Sequence, residues 1–365
     1  MYQFDKRIVM TLDAGGTNFV FSAIQSNEEI VEPIVLPSNG DNLEKCLETL
    51  VTGFSAIKLK LPDNPVAISF AFPGPADYVN GIIGDLNNLP AFRGGVALGA
   101  FLKNVFGIPV FIDNDGDLFA YGEALAGALP EVNRMLGNAG KSKVYKNLIG
   151  ITLGTGFGGG VVRDGELFLG DNGSAAEVWV LRDKREPVYS VEEGISIRAI
   201  KREYARLSGD PRKLTPKDIF DIAEGTLEGD QASARTTFEH AGEVLGEAIA
   251  SINAVVDGIV VLGGGIVAAH KYLMPSVIRE LNGTVAMYEG APADRIEMKA
   301  FFLDDPAGLT AFLAPTSRQI LVPGTTETIE YDPVKRMGVI TTKLGTSKAI
   351  AFGAYAFALN ELDKY

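Results

Sequence analysis

The sequence predicts an α/β protein of two domains, each built on a mixed sheet flanked by helices. Three observations carry that reading. The 365-residue chain exceeds what one hydrophobic core usually supports. Short apolar runs of strand length alternate with longer segments of helical periodicity. The arrangement strand, glycine-rich turn, strand opens the chain and recurs after the polar stretch 137–147, a weak internal duplication.

The first strand is expected from Arg7 to Leu12, followed by the turn Asp13-Ala14-Gly15-Gly16-Thr17-Asn18 and strands at 19–25 and 30–36, an antiparallel meander. Leu43, Cys46, Leu47, Leu50, Val51 and Phe54 recur at helical spacing and predict a helix over 41–59. The apolar run from Val66 is stopped by Pro73-Gly74-Pro75. A helix at 94–105, a strand at 108–115 and a helix at 116–128 complete the first half. The second half begins with the strand 147–153, the glycine stretch 154–160, and a further pair of strands about Gly165. Helices follow at 192–207, 216–227 and 231–256, then the apolar strand 257–262 running into Gly263-Gly264-Gly265. A last helix, 346–362, is apolar on most faces and is expected to be buried. The polar stretch 137–147 is expected to separate the two domains.

With 46% hydrophobic and 22% charged residues, the composition is that of a soluble globular protein. The net charge of −13 and the lack of a Lys/Arg-rich run argue against nucleic acid or an anionic membrane as partner. An anion site must then be built locally, from backbone N–H groups or bound cations. Cys46 is the only cysteine, so no intrachain disulfide forms and the cytoplasm is the expected compartment. With only His240 and His270 beside it, a structural zinc site is not expected, and a metal must rest on oxygen ligands. No signal peptide and no apolar run long enough to span a bilayer are read in the sequence.

Two phosphate motifs are decoys. Gly137 to Ser142 ends like a P-loop, but Met135 stands where that motif needs its first glycine. Gly154-x-Gly156-x-x-Gly159 satisfies the dinucleotide pattern, but a strand follows it where a helix is required. A different device remains, in which successive N–H groups of a glycine hairpin converge on an anion. Taken alone, each hairpin reads first as a plain turn. Two of them, with a third apolar strand ending in three glycines, suit a nucleotide. Asp115 lies at the end of a strand and the start of a helix, and is either an N-cap or a general base for phosphoryl transfer. Asn114 beside it can bond a polyol; Asn88, Glu177 and Glu192 are further polar candidates, each of which, taken singly, reads first as a turn or surface residue.

Taken together and in order, these motifs resemble the ROK family of sugar kinases, within the sugar kinase/Hsp70/actin superfamily. The matching stretches are D-A-G-G-T-N (13–18), F-P-G-P-A-D (72–77), N-N-L-P (87–90), D-N-D-G-D-L-F-A-Y-G-E (113–123), L-G-T-G-F-G-G-G (153–160), A-A-E-V (175–178), V-V-L-G-G-G-I (260–266) and Gly353-Ala354. The resemblance implies two RNase H-like domains of the actin-like ATPase kind around a cleft, with the final helix returning to the first: 1–136 plus 346–365, and 137–345 with an insertion around 305–343. It also implies ATP- and Mg²⁺-dependent phosphorylation of a hexose or N-acetylhexosamine, in a homodimer. By the same resemblance Asp115 is the catalytic base, and Asn88, Asn114, Glu177 and Glu192 bind the sugar. Gly15, Gly16, Thr17, Asn18, Gly154, Thr155 and Gly156 take the phosphates, Gly264 and Gly265 the adenosine side, and Asp13 holds Mg²⁺ through water.

The chain departs from the family in three places, one of them the segment 305–343, which lengthens it beyond a typical member. Glu177-Val178-Trp179-Val180 stands where the family has its sugar-contacting His, now Val180. The three-cysteine zinc knot that follows is replaced by 181–190, so zinc is not expected. Trp179 reads either as a stacking face for a pyranose or as a core residue. The alternatives to a kinase are an inactive sugar or nucleotide sensor on the same fold, and an actin- or Hsp70-like ATPase. A DNA-binding regulator is disfavoured because the first strand starts near residue 7.

Overall fold

The structure, a computed structural model, describes residues 2–74, 76–84 and 90–364. By internal packing the chain divides into two units: Met1–Pro130 with Gly159–Ala176 and Thr342–Tyr365, and Glu131–Gly158 with Glu177–Thr341. The breaks thus follow residues 130, 158, 176 and 341, where 136 and 345 were expected. The short segment 159–176 groups with the first unit.

In the first unit, β1 (Val9–Ala14) pairs antiparallel with β2 (Asn18–Gln25) in a register running from Val9↔Ile24 to Ala14↔Phe19. Ser26 and Asn27, both at positive φ (55° and 62°), form the turn out of β2, as a twisted hairpin requires. The third strand of the meander is split into β3 (Glu28–Glu29) and β4 (Ile34–Pro37), which pair with opposite ends of β2. Pro33, which lacks an N–H for the ladder, stands in the break. Helix α1 (Leu43–Lys58) is capped by Asn42, whose side chain accepts from Lys45 N. It buries Cys46, Leu50, Phe54 and Ile57 on one face.

The sheet continues through β5 (Ala67–Ala71), with the short β6 (Ala76–Asp77), β7 (Ile82–Ile83) and helix α2 (Leu98–Phe106) leading to β8 (Val110–Asp113). Strands β1, β5 and β8 are parallel, so the sheet is mixed, in the order β3-β2-β1-β5-β8 with β4 also on β2. Alternation along the strands separates two faces. Met10, Leu12, Ile68 and Phe70 pack with Phe54 and Leu102 on one side. Val9, Ile24 and Ala67 pack with Phe352, Tyr355 and Leu359 on the other.

Helix α3 (Asp115–Ala126) and α4 (Ala128–Asn138) follow directly. Helix α4 runs into the segment that resembled a P-loop, and Lys141 donates to the Ala314 carbonyl at 2.9 Å.

The second sheet begins with β9 (Leu148–Leu153), β10 (Phe157–Arg163) and β11 (Glu166–Leu167). The helix expected over 192–207 is two, α5 (Glu192–Ile195) and α6 (Ile197–Ser208), because Ser196 between them is extended (φ −68°, ψ 169°). Next come α7 (Pro216–Glu224), α8 (Gln231–Val256), β12 (Ile259–Gly263), a 3-10 turn at Gly265–Ala269 and α9 (His270–Leu281). A small hairpin, β13 (Thr284–Val285) and β14 (Ala293–Asp294), precedes β15 (Lys299–Phe302), α10 (Pro306–Leu313), the hairpin β16 (Arg318–Leu321)–β17 (Thr328–Tyr331), and β18 (Arg336–Thr341). The strand order is β11-β10-β9-β12-β18-β15, with β9, β12, β18 and β15 parallel.

Within the segment 305–343, expected as an insertion, β18 belongs to the second sheet. Only the β16–β17 hairpin stands out from the sheet, every one of its strand residues being exposed. Met337, Val339 and Ile340 of β18 are buried in an inner strand between β12 and β15.

The last helix, α11 (Thr346–Asp363), is buried as expected, with Phe352, Ala354, Tyr355 and Leu359 inside. Glycines let it lie close on α3: a Cβ on Gly122 would strike the Ala349 carbonyl, and one on Gly353 the Leu118 carbonyl. Glu123 fixes its entry. This fully buried carboxylate accepts from Ala128 N at 2.7 Å, from Lys343 N and Leu344 N at 3.1 Å each, and from the Thr342 hydroxyl. Among the described residues no helix is long and apolar enough to cross a membrane.

Candidate active site

The first glycine turn closes β1 onto β2 and is held by its carbonyls. Ser38 donates its N–H to Thr17 O at 2.9 Å and its hydroxyl to Gly16 O at 2.7 Å. A Cβ on Gly15 would lie 2.8 Å from Asn18 O, so that position is glycine for space. Gly16 is different. It does not have positive φ, and a Cβ there would meet nothing of the chain within 4 Å. Neither conformation nor internal packing requires glycine at 16, which leaves bare backbone open to an approaching ligand. Asp13, Gly16, Thr17 and Asn18 are all exposed.

Asp113, Asn114 and Asp115 occupy the end of β8 and the start of α3, and they face different surroundings. Asp113 is 1% exposed, accepts from Asn114 N at 2.8 Å with one oxygen, and leaves the other without a partner. Burial pushes its carboxyl up to about 7, with the charge of Glu361 adding and the Asn114 N–H opposing. Asn114 caps α3, its Oδ1 accepting from Gly116 N at 2.7 Å, while its Nδ2 donates to the Tyr78 hydroxyl at 3.4 Å. The Tyr78 hydroxyl in turn donates to the Phe72 carbonyl at 2.9 Å. Asp115 keeps a solvent-accessible face but is crowded by protein. Loss of water raises its pKa above the ordinary carboxylate range, Asp13 raises it further, and the Gly116 N–H opposes. The Gly116 N–H is thus shared, donating to the Asn114 cap and also to Asp115 Oδ1 at 2.9 Å, while the Asp115 side chain stays exposed.

Part of the second glycine run serves this site and was missed by motif reasoning. A Cβ on Gly116 would lie 2.5 Å from Gly159 O, and one on Gly160 would strike the Gly116 carbonyl. These glycines admit the first turn of α3 against β10 and so set where Asp115 sits. The sequence signal is the length of the run, G-F-G-G-G, longer than an anion turn needs.

The second turn, Gly154-Thr155-Gly156, closes β9 toward β10. Gly154 N donates to Gly156 O at 3.0 Å, and Ile197 N donates to Gly154 O at 2.9 Å. A Cβ on Gly154 would again meet nothing within 4 Å, and Thr155 is exposed. Beneath the turn lies Glu192. Its Oε2 accepts from Phe157 N at 2.9 Å and would lie 2.7 Å from a Cβ on Gly156, while its Oε1 takes Arg198 at 2.6 Å. Glu192, expected to face a sugar, has both oxygens engaged in holding this loop.

Glu177 and Trp179 flank Val178 on a 3-10 turn, Val178–Val180. The indole Nε1 donates to Glu177 Oε2 at 2.6 Å. Trp179 is 44% exposed and Val180 56%, so Trp179 is not a core residue. At the end of β12, Gly264 has φ +91° and a Cβ there would collide with the Leu153 carbonyl. Gly265 faces open space. Asn88 lies outside the described residues.

Among the described residues no cluster of three or more His, Cys, Asp or Glu could hold a metal. Magnesium asks for less, usually one or two carboxylates with phosphate and water supplying the rest. Exposed Asp13, close enough to Asp115 to raise its pKa, fits that modest role. A cavity of about 360 Å³ in the second unit, lined by Asp183, Tyr189, Arg202, Glu203 and His240, contains none of the expected site residues. Among its side chains, Glu203 bonds Arg206 and His240, and Arg202 pairs with Glu193.

Residues 9–312 match the ROK family. A crystal structure of glucokinase from Parabacteroides distasonis is 56% identical, with a TM-score of 0.90, and the match covers 99% of each chain. The glucokinase of Thermotoga maritima is 28% identical over 73% of this chain and 88% of its own. The N-acetyl-D-glucosamine kinase of Vibrio parahaemolyticus is 28% identical over 70% and 83%. The chain belongs to the ROK family.

Proposed function

We propose that this protein is a carbohydrate kinase that transfers the terminal phosphoryl group of ATP to a hydroxyl of a hexose or N-acetylhexosamine, with Asp115 as general base. The observation that carries the reading is the Asp115 carboxyl at the start of α3. It is accessible, beside an exposed Asp13, and raised in pKa, while its own helix is capped by Asn114 instead. Its relatives named glucokinase and N-acetylglucosamine kinase support the substrate class.

In this reading the sugar hydroxyl attacks the terminal phosphorus, its proton passes to an Asp115 oxygen, and ADP leaves. General base assistance of this kind contributes roughly 10²–10⁴-fold. Gly16 and Gly154 offer bare backbone to the phosphates, and Gly264 and Gly265 take the adenosine side. Asn114, Glu177 and Asn88 bind sugar hydroxyls, and Asp13 holds Mg²⁺ through water. Bound there, the ion offsets phosphate charge that Asp13 and Asp115 would otherwise repel. The protein is read as cytoplasmic and homodimeric by family analogy, without zinc.

A coupled ADP-release screen over hexoses and N-acetylhexosamines tests the reading, which expects turnover that depends on sugar. One observation favours a second reading, the inactive sensor: Val180 offers no hydrogen bond where the family places its His. Thermal stabilisation by a sugar without ADP release would select the sensor. ADP release without sugar would select the ATPase.

A further inference from the structure

The stretch that lost the family's histidine has a feature of its own. We propose that Trp179 is a specificity-determining sugar contact: its indole N–H orients the Glu177 carboxylate, and its ring stacks on a hexopyranose whose C–H face is uninterrupted. The proposal rests on the kinase reading and extends it to a residue that the family pattern does not supply.

Four observations converge on this residue. Trp179 is the only tryptophan in the chain, yet it is 44% exposed. Its Nε1 donates to Glu177 Oε2 at 2.6 Å, a charge-assisted bond that fixes both side chains. The turn beneath them is anchored by Val178, which is 6% exposed, so the pair sits on a set backbone. Ala176, just before Glu177, has φ +58°, a conformation disfavoured for alanine and kept where the surroundings demand it.

The chemistry follows from the two groups. An indole offers a broad flat apolar face with one polar edge, and here that edge is committed to Glu177. The other oxygen of Glu177 can then accept from a sugar hydroxyl. A pyranose whose ring hydroxyls are equatorial presents C–H on both faces, whereas an axial hydroxyl interrupts one. The pair therefore favours gluco-configured sugars, among them N-acetylglucosamine, over an epimer with an axial hydroxyl on the stacked face. Val180, 56% exposed, extends the apolar surface and cannot compete for Glu177.

Because no other tryptophan is present, intrinsic emission reads this position directly. The test titrates wild-type protein, without nucleotide, with glucose, N-acetylglucosamine, mannose and galactose, and measures ADP release with the same sugars. The expected result is a saturable emission change with a gluco-configured sugar and a weaker or absent one with the epimers. Trp179→Ala should raise the sugar KM about tenfold, on the scale of an aromatic contact plus a lost hydrogen bond. Its ATP KM and melting temperature should stay at the wild-type values. Trp179→Phe, which keeps a ring and loses the N–H, should fall between. Emission unmoved by every sugar, or an unchanged sugar KM in Trp179→Ala, would overturn the proposal. Sugar-dependent ADP release in that case would leave the kinase reading standing. An emission change without any ADP release would support the Trp179 contact while the kinase reading fails.

Discussion

The turns at Gly15–Thr17 and Gly154–Gly156 present the same bare backbone between two strands, yet different groups hold them. Ser38 grips the first through the Gly16 and Thr17 carbonyls, with neutral hydrogen bonds. The second rests on a carboxylate: Glu192 takes the Phe157 N–H, is itself held by Arg198, and sits where a side chain at 156 would be. In both, the open glycine, Gly16 or Gly154, has room for a Cβ within the chain. Turn chemistry therefore tells where a ligand can approach. What positions the turn lies elsewhere in the sequence and need not be alike in the two copies.

Substitutions at the open glycines should break the likeness most. A Cβ at Gly16 or Gly154 meets no internal neighbour within 4 Å, so Gly16→Val and Gly154→Val should each keep the wild-type melting temperature. Each should lose ATP-dependent kcat/KM by roughly 100-fold, the cost of displacing a bound reactant by about 1 Å. Gly160→Ala, which strikes the Gly116 carbonyl, is the control: it should lower the melting temperature as well. A drop in melting temperature for Gly16→Val or Gly154→Val would mean that those glycines serve packing after all.

The next effect sharpens the difference in support. Glu192→Ala removes the acceptor from Phe157 N and the partner from Arg198, and should raise the ATP KM about tenfold, equivalent to about 1.4 kcal/mol. Glu192→Gln keeps an acceptor for the N–H and should recover part of that loss. A change confined to the sugar KM would instead make Glu192 the sugar ligand that the family resemblance implies. Ser38→Ala should be milder, a few-fold in ATP KM. Its backbone bond to Thr17 survives, and one neutral hydrogen bond is worth about 1 kcal/mol.

Smallest, and visible only against pH, is the contrast between Asp113 and Asp115. With its pKa pushed up to about 7 from an ordinary 3.8, folded Asp113 keeps a proton that the unfolded chain has released. Its contribution to stability is full below about pH 4 and is lost as pH rises through about 7. Asp113→Asn, neutral at every pH, should therefore melt higher than wild type at pH 8 and show a flatter pH dependence. An unchanged pH dependence of melting would remove this account. Asp115 is raised as well, so kcat/KM should be full above its pKa and fall as pH drops through it, at a higher pH than an ordinary carboxylate gives.

Much of this site was legible as residue chemistry. Glycines between apolar runs announced both turns, the apolar face of 346–362 announced a buried helix, and Asn114-Asp115 after an apolar strand announced a capped helix. What stayed hidden depends on the partner across space. Gly159 and Gly160 read as anion-turn glycines, but their neighbour is the first turn of α3, more than 40 residues earlier in the chain. Glu192 is a sugar ligand by the resemblance alone, and nothing local in the sequence shows that the Phe157 N–H takes one of its oxygens. Strand β18 disappeared into an apparent insertion because Met337 to Thr341 follows a wholly exposed hairpin and its parallel partners lie far away in sequence.

The central claim is that Asp115 takes the proton of a sugar hydroxyl during phosphoryl transfer. Asp115→Asn keeps the shape of the side chain and removes its basicity, so sugar affinity, read from the emission of Trp179 or from thermal shift, should remain measurable. Sugar-dependent ADP release should fall by roughly 10²–10⁴-fold. Turnover equal to wild type in that variant would contradict the account.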